Sequence, residues 1–170
     1  MTDHDAREDH MEASTPQAPD IRPAAASDES AIDALLRASH LQVDGVRDAL
    51  PNFVVAEDNG RIIGVAGIET CGDTHEHALL RSVAVDPAWQ GKGLGRTLVE
   101  RALVIAEARQ VKALYLLTTT AEKFFPHFGF TVTTRDAVPD DVRATTQFQG
   151  ACPASAVVMV RPAAPSRPAA

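Results

Sequence analysis

The sequence predicts one α+β domain in which a mixed central sheet is flanked by helices. The chain has 170 residues, of which 45% are hydrophobic, and this suits a single core. Apolar residues alternate between helical and strand spacing, and one glycine-rich loop joins a strand to a helix within a single βαβ crossover. We expect the domain to span residues 20–161. Residues 1–19 and 162–170 are polar, or rich in proline and alanine, which predicts disordered tails.

The first predicted elements are a helix and a β-hairpin. The segment DESAIDALLRASHL has apolar residues at helical spacing (Ile32, Leu35, Leu36) behind Ser27, which is expected to cap the helix. The segment FVVAEDNGRIIGVAGIE predicts two strands joined by a turn at residues 58–60, because Asp-Asn-Gly suits the left-handed backbone of a tight hairpin.

The second half predicts the crossover and two further strands. ALLRSVAV is a strand ended by Asp86-Pro87, VKALYLLT is an interior strand, and ASAVVMV is the last strand. AEKFFPHFGF predicts a short helix that ends at Gly129, with Phe130 opening another strand. RTLVERALVIAEARQ predicts the crossover helix, whose apolar face carries Leu94, Leu98, Ala102 and Ile105.

Charge and cysteine content narrow the classes of partner. A net charge of −7 and an isoelectric point near 5.3 argue against nucleic acid and anionic membranes, which need a cationic surface. We therefore expect a small-molecule partner. No apolar run is long enough for a membrane span and the start lacks the pattern of a signal peptide, which predicts a cytoplasmic protein.

Cys71 and Cys152 lack metal-type spacing, so we expect free thiols and no metal site.

The segment DPAWQGKGLG predicts a phosphate-binding loop. Gly91, Gly93 and Gly95 stand between a strand and a helix, where backbone N–H groups and the helix dipole favour an anion. Lys92 and Arg96 add positive charge. The spacing matches neither a nucleoside-triphosphate loop nor a dinucleotide fingerprint. A purely structural glycine turn is the alternative at this point.

A longer stretch around this loop, VAVDPAWQGKGLGRTLVERA, resembles the acyl-CoA signature Q/R-x-x-G-x-G/A of the GCN5-related N-acetyltransferase (GNAT) family. The resemblance covers roughly residues 20–160 and includes AEKFFPHFGF, which is similar to the late helix-to-strand element of that family. It implies a GNAT-like mixed sheet, acetyl-CoA as the acyl donor, and loop amides that bind the pyrophosphate. The implied cofactor-binding residues are Val83, Ala84, Val85, Gln90, Gly91, Lys92, Gly93, Leu94, Gly95, Arg96, Thr118 and Phe125.

Three further segments, ALLRSVAV, LYLLTTTAEKFF and CPASAVVM, resemble the arsenic-resistance (ArsN2-like) subgroup of these acetyltransferases. Related arsenic-resistance enzymes acetylate the amine of arsenic- or phosphorus-containing amino acids similar to glutamate. The resemblance therefore implies a small amino-acid-like amine as the acceptor, and a role in arsenic or toxic amino-acid-analogue resistance.

The sequence departs from the family at the position of the usual base. Many members have a glutamate two residues before the position of Arg81, where this chain has Leu79. Glu69, near the end of the preceding strand, is the first candidate for a base that acts through water. Glu76 and His77 are the other candidates, and each of the three could instead be a solvated loop residue.

The usual proton donor to the departing thiolate is also missing. The late-helix tyrosine of the family is replaced by Phe125, which has no hydroxyl. Thr118, His127 and Cys152 are the candidate substitutes, and the CPxSA segment adds Ser155. An unprotonated thiolate leaving into the helix-dipole field is the remaining alternative.

Arg81 and Ser82 complete the predicted catalytic set, which comprises Glu69, Arg81, Ser82 and Cys152. An arginine in a covered strand needs an anionic partner, either an internal carboxylate such as Glu69 or the carboxylate of a substrate. Alternation along the strand predicts that Arg81 points to the same side as Val83 and Val85, with Ser82 on the other side. Arg143 is a candidate second clamp, or simply a solubilising surface residue.

The sequence supports two functions. The first is direct transfer of acetyl from acetyl-CoA to an amine in a ternary complex. The second is a catalytically inactive acyl-CoA-binding sensor or interaction module, because the family's glutamate and tyrosine are both missing. Whether the chain forms a homodimer stays open.

Overall fold

The computed structural model describes residues 18–151 and 155–162, which build one seven-stranded sheet with helices on both faces. The strands are β1 (Asp20–Pro23), β2 (Phe53–Asp58), β3 (Arg61–Cys71), β4 (His77–Val85), β5 (Ala113–Thr118), β6 (Thr131–Thr133) and β7 (Val157–Pro162). The helices are α1 (Glu29–Ala38), α2 (Val46–Ala49), α3 (Leu94–Ala108) and α4 (Asp140–Arg143).

The strands follow the order β1-β2-β3-β4-β5-β7-β6. Neighbours pair antiparallel except β4 and β5, which run parallel because α3 crosses over between them. The hairpin of β2 and β3 and the single crossover are confirmed. Strand β1 and the short helices α2 and α4 were not predicted, since segments of four residues are too short to show periodicity.

Alternation along the central strands divides the core between the two faces of the sheet. Ala66 and Ile68 of β3 pack against α3. Val65, which directly precedes Ala66, points to the other face and packs with residues of α1 and α2. On α3, the predicted apolar face is buried at Leu94, Leu98 and Ala102 and half-buried at Ile105. Within the described part of the chain, no helix is long and apolar enough to cross a membrane.

The start of α1 corrects the prediction that Ser27 caps it. The carboxylate of Asp28 accepts the Ala25 N–H at 2.7 Å, and Ser27 is exposed. Asp28 also receives two hydrogen bonds from the Arg22 guanidinium, at 2.8 and 3.0 Å. An ionised carboxylate is a stronger acceptor than a hydroxyl, and this one also ties β1 to the helix, because Arg22 in turn donates to Glu57 of β2.

Asp28→Asn is expected to lower the free energy of unfolding by about 2 kcal/mol at neutral pH, because it removes the charge from a partly buried bidentate pair. The Arg22 hydrogen bonds lower the pKa of Asp28 below its ordinary 3.8. The contribution of the ionised Asp28 to the free energy of unfolding is therefore complete above its unfolded-state pKa. This contribution is lost as the pH falls through its folded-state pKa. Urea denaturation at pH 7 and near pH 3 measures this difference, with Asp20→Asn as the exposed control on the same strand. A deficit that is equally large at both pH values would contradict the ion-pair explanation.

Candidate active site

A cavity of about 430 Å³ lies where β4 and β5 separate. The two strands pair only from His77 and Ala113 to Leu79 and Tyr115. Beyond that point their facing edges are apart and form two walls of the cavity, residues 80–83 and 116–118. The remaining walls are the segments 40–42, 119–121 and 124–125, with Gln147 and Ala156.

A β-bulge in β4 sets the direction of the side chains at this opening. Arg81 is opposite Gly67 and Ala84 is opposite Val65, so Ser82 and Val83 together face a single residue of β3. Ser82 has a left-handed backbone, with φ of 62°. A bulge of this kind bends the strand and adds one residue, so that the side chains before and after it no longer alternate regularly between the two faces of the sheet.

The bulge makes the predicted direction of Arg81 wrong. Val83 and Val85 pack on the α3 side of the sheet. Arg81 instead lies on the α1 and α2 side, where its guanidinium donates to the carbonyl of Gln42 at 3.2 Å. The extra residue at Ser82 reverses the alternation that strict period two requires.

Arg81 is an internal ion-pair partner. Its side chain is 2% exposed and its Nη1 lies 2.8 Å from Oε1 of Glu69, whose side chain is 25% exposed. Its Nε donates to the hydroxyl of Ser82 at 3.1 Å. The carboxylate that meets Arg81 in this structure is therefore Glu69, the internal one of the two alternatives. Arg81 and Ser82 line the cavity, whereas Glu69 lies behind Arg81 and is not part of the wall.

The glycine-rich loop adopts the backbone that an anion site needs. Gly91 and Gly93 have φ of 80° and 84°, and a Cβ on either would meet nothing within 4 Å. Gly93 precedes α3, whose first helical hydrogen bond runs from Thr97 N–H to the Gly93 carbonyl. The N–H groups of the first turn therefore have no partner within the helix and form the positive end of its dipole.

Side chains hold the loop against the end of β4. Gln90 donates through Nε2 to the carbonyl of Val85 at 2.9 Å. Lys92 Nζ lies 5.2 Å from the centre of the Trp89 ring, a cation–π distance. Lys92 and Arg96 are exposed, and among the described residues neither forms an ion pair. Their charges are therefore available to a phosphate.

The cavity and the loop are adjacent. Phe124 lines the cavity, and its Cζ lies 3.9 Å from the place that a Cβ would take on Gly95. Val83 lines the cavity two residues before β4 ends at Val85, next to the loop. Ala84 between them is buried on the opposite face, so only its backbone can serve a ligand here. A long ligand with an anionic end could therefore reach from the loop into the cavity.

Thr118 and Phe125 both line the cavity. The Thr118 hydroxyl accepts the N–H of Ala121 at 3.0 Å, which fixes the segment that follows β5. Phe125 is buried against Phe130 with the rings edge to face. A short 3₁₀ turn begins at Phe125 and is ended by Gly129, whose φ is 91°. The predicted stop at Gly129 is confirmed, and the wall at Phe125 is apolar.

The other candidates lie away from the cavity wall. Glu76 pairs with Lys112 at 3.0 Å, His77 with Asp141 at 2.9 Å, and Arg143 with Asp140 at 2.7 Å. His127 and Ser155 are exposed and are not part of the wall. Cys152 lies outside the described residues, so its predicted role stays a prediction.

Cys71 and Leu79 belong to a third apolar cluster, together with Tyr115, Val138, Val142 and Val158. Cys71 is a free thiol, and burial raises its pKa to about 12. Leu79 is 1% exposed in the same cluster. The position at which many GNAT members have glutamate is therefore part of the hydrophobic core in this chain.

Several cavity residues were not predicted as site residues from the sequence, among them His40 and Gln147. His40 follows α1 and has a left-handed backbone with φ of 60°. Gln147 lies in a π-helical turn, Gln147–Ala151. Neither belongs to a motif, and the chain brings both to the cavity only through its tertiary fold.

Comparison with known proteins agrees with this geometry. Residues 50–132 match the family described as the acetyltransferase (GNAT) domain. An amino-acid acetyltransferase of Mycobacterium tuberculosis is 36% identical over 91 residues, which cover 49% of this chain and 48% of that protein. The chain thus spans about half the length of this curated relative.

Solved structures confirm the predicted fold class. A Mycobacterium tuberculosis protein in complex with CoA and NLQ has a TM-score of 0.72 at 24% identity, over 86% of this chain and 100% of that one. The N-acetylglutamate synthase of Neisseria gonorrhoeae, complexed with coenzyme A and N-acetyl-glutamate, has a TM-score of 0.72 at 22% identity, over 87% of this chain and 36% of that one. Residues 50–132 thus match the GNAT acetyltransferase domain, and the chain shares the fold of these structures.

Proposed function

We propose that the protein transfers acetyl from acetyl-CoA to the amine of a small amino-acid-like substrate. The observation that carries this proposal is that the glycine loop and the end of β4 lie next to the cavity between the separated strands. The relatives described as amino-acid acetyltransferases support an amino acid as the acceptor. Toxic amino-acid analogues that contain arsenic or phosphorus are the finer substrate class that we propose.

The glycine loop and β4 would hold the acyl donor. The unpaired N–H groups at the start of α3, with Lys92 and Arg96, suit the pyrophosphate. On the side that faces β5, the backbone of Val83–Val85 pairs with no described strand, so this edge can bond to the pantetheine arm, while the other edge pairs with β3. Thr118 and Phe125 line the opposite side of the cavity.

Acetyl-CoA supplies the electrophile, a thioester carbonyl carbon. The amine nitrogen forms a bond to this carbon, the carbon–sulfur bond breaks, and the thiol leaves with one proton while a second proton goes to a base. Phe125 cannot donate a proton. Holding both reactants in one cavity and stabilising the oxyanion with backbone N–H groups are the main sources of rate, and positioning alone can contribute several kcal/mol.

Thiol release from acetyl-CoA tests the proposal. The purified chain is mixed with acetyl-CoA and a panel of amines: L-glutamate, L-glutamine, L-arginine, and phosphorus- and arsenic-containing analogues of glutamate. Amine-dependent release of free thiol, with the acetylated amine identified by mass spectrometry, would support the proposal. Acetyl-CoA binding without turnover on any amine would favour the inactive binding module, which the missing glutamate and tyrosine motivate.

Phe125→Tyr is expected to change turnover little or to raise it modestly. Phe125 lies in the cavity wall and is 7% exposed. A tyrosine there keeps the apolar ring and adds a hydroxyl that can donate a proton to a leaving thiolate. Steady-state kinetics and calorimetric binding of CoA measure the effect. A large loss of turnover with unchanged CoA affinity would show instead that the apolar ring packs on the substrate.

A further inference from the structure

The cavity wall contains very few groups that can exchange a proton. Of its described residues, only His40 and Arg81 have titratable side chains; the others are apolar, hydroxyl or amide residues. Arginine stays protonated in proteins and cannot accept a proton. Glu69 is outside the wall, and its carboxylate is occupied by Arg81 at 2.8 Å. His40 is thus the one described residue of this wall whose side chain can accept a proton as a base.

His40 has the features expected of a general base. Its imidazole forms no hydrogen bond or ion pair with any described residue, and the residue is exposed. It can therefore exchange protons with solvent while it lines the cavity. Its left-handed backbone, φ 60°, is uncommon for a residue with a side chain. The main chain around it is held by the Leu41 N–H, which donates to the Leu36 carbonyl at 2.8 Å, and by Arg81, which donates to the Gln42 carbonyl.

We propose that His40 accepts the proton of the acceptor amine, an inference that rests on the proposed acetyl transfer. The ammonium form of the amine gives one proton to the imidazole, and the freed lone pair bonds to the thioester carbon. The carbon–sulfur bond then breaks, and the thiolate takes the second proton from the nitrogen. The imidazolium returns its proton to solvent, so one acetylated amine, one thiol and one proton leave the site for each turnover.

The charged groups near this end of the cavity are few. Arg81 faces it from the sheet, paired with Glu69, which lies outside the wall. Arg37 and Asp44 lie on either side of His40 along its own segment and are exposed. Residues 118–121 and 124–125, which form the opposite wall, have no charged side chain among them. Among the described residues of this wall, His40 therefore has no charged neighbour on the opposite side of the cavity.

His40→Asn tests this assignment, since asparagine tolerates the left-handed backbone but has no imidazole. His75→Asn is the matched control, because His75 is also exposed with φ of 57° but is not part of the cavity wall. With acetyl-CoA and L-glutamate, or the fastest amine of the panel, we expect His40→Asn to lower kcat/KM for the amine about 100-fold at neutral pH. CoA affinity should stay the same, and His75→Asn should match the wild type.

The pH profile separates a base from a structural residue. The deficit of His40→Asn should shrink as the pH approaches about 10, where the amine loses its proton unaided, and added imidazole should restore part of the rate. Three results would overturn the assignment. The deficit of His40→Asn could be constant with pH, or its activity could equal that of His75→Asn. The third is a pH-dependent deficit in Glu69→Gln. In those cases the wild type still acetylates amines, whereas a wild type without turnover would remove the proposed function as well.

Discussion

Gly93→Asp is expected to raise the Kd for acetyl-CoA by about 100-fold, the equivalent of nearly 3 kcal/mol. Gly93 stands directly before α3 with φ of 84°, and the space beside it is open. An aspartate there places a negative charge where the helix dipole and the unpaired N–H groups attract phosphate. The left-handed backbone adds strain of about 1–2 kcal/mol for a residue with a Cβ.

The matched control for this change is Gly60→Asp. Gly60 also has a left-handed backbone, φ 80°, with nothing within 4 Å of its Cβ position, but it lies in the turn between β2 and β3. Both variants introduce the same charge and comparable strain. Isothermal calorimetry with CoA therefore isolates the effect of position. Equal affinity in the two folded variants would remove the phosphate interpretation of the loop.

Much of the fold could be predicted because local signals and tertiary structure agree. The turn Asp58-Asn59-Gly60 requires left-handed residues, and Asn59 and Gly60 have φ of 49° and 80°. The apolar face of α3 is predicted by spacing and is buried except at Ile105, which is half-buried. The glycine loop could be placed because it follows a strand that ends at Asp86-Pro87 and precedes a helix.

The interior of the candidate site was harder to predict. The bulge in β4 occurs at a serine, which rarely has a positive φ, so the residue type gave no sign of it. Arg81 therefore points opposite to the predicted direction. Its pairing with Glu69, twelve positions earlier, depends on the register between β3 and β4. His40 reaches the cavity from a separate segment after α1, and no local pattern encodes such a placement.

The second large effect is expected for Arg81→Lys. We propose that the guanidinium, which lines the cavity, binds the anionic end of the amine substrate while it stays paired with Glu69. Nε, Nη1 and Nη2 each have one protein acceptor, and the five N–H groups of a guanidinium leave two more for a substrate carboxylate. A lysine retains the charge near Glu69 but cannot span Gln42, Ser82 and a substrate together.

Arg81→Lys should therefore raise the KM for the amine about 30-fold, the loss of one charge-assisted contact of about 2 kcal/mol. Acetyl-CoA affinity should change little. The loss of the bonds to Ser82 and Gln42 should also lower Tm by several degrees, because the first bond is buried and the second is partly buried. Steady-state kinetics in the amine and thermal unfolding measure the two effects separately.

Glu69→Gln separates substrate binding from a purely internal role. Glutamine still accepts a hydrogen bond from Arg81 but no longer neutralises it, so the guanidinium becomes a stronger anion binder. If Arg81 binds the substrate anion, the KM for the amine should stay the same or fall in Glu69→Gln, while it rises in Arg81→Lys. If Arg81 serves only the fold, both variants should lower Tm, and neither should change the KM. In that event the anionic end of the substrate binds elsewhere in the cavity, and Arg81 supports the site by holding β3, β4 and the segment after α1 together.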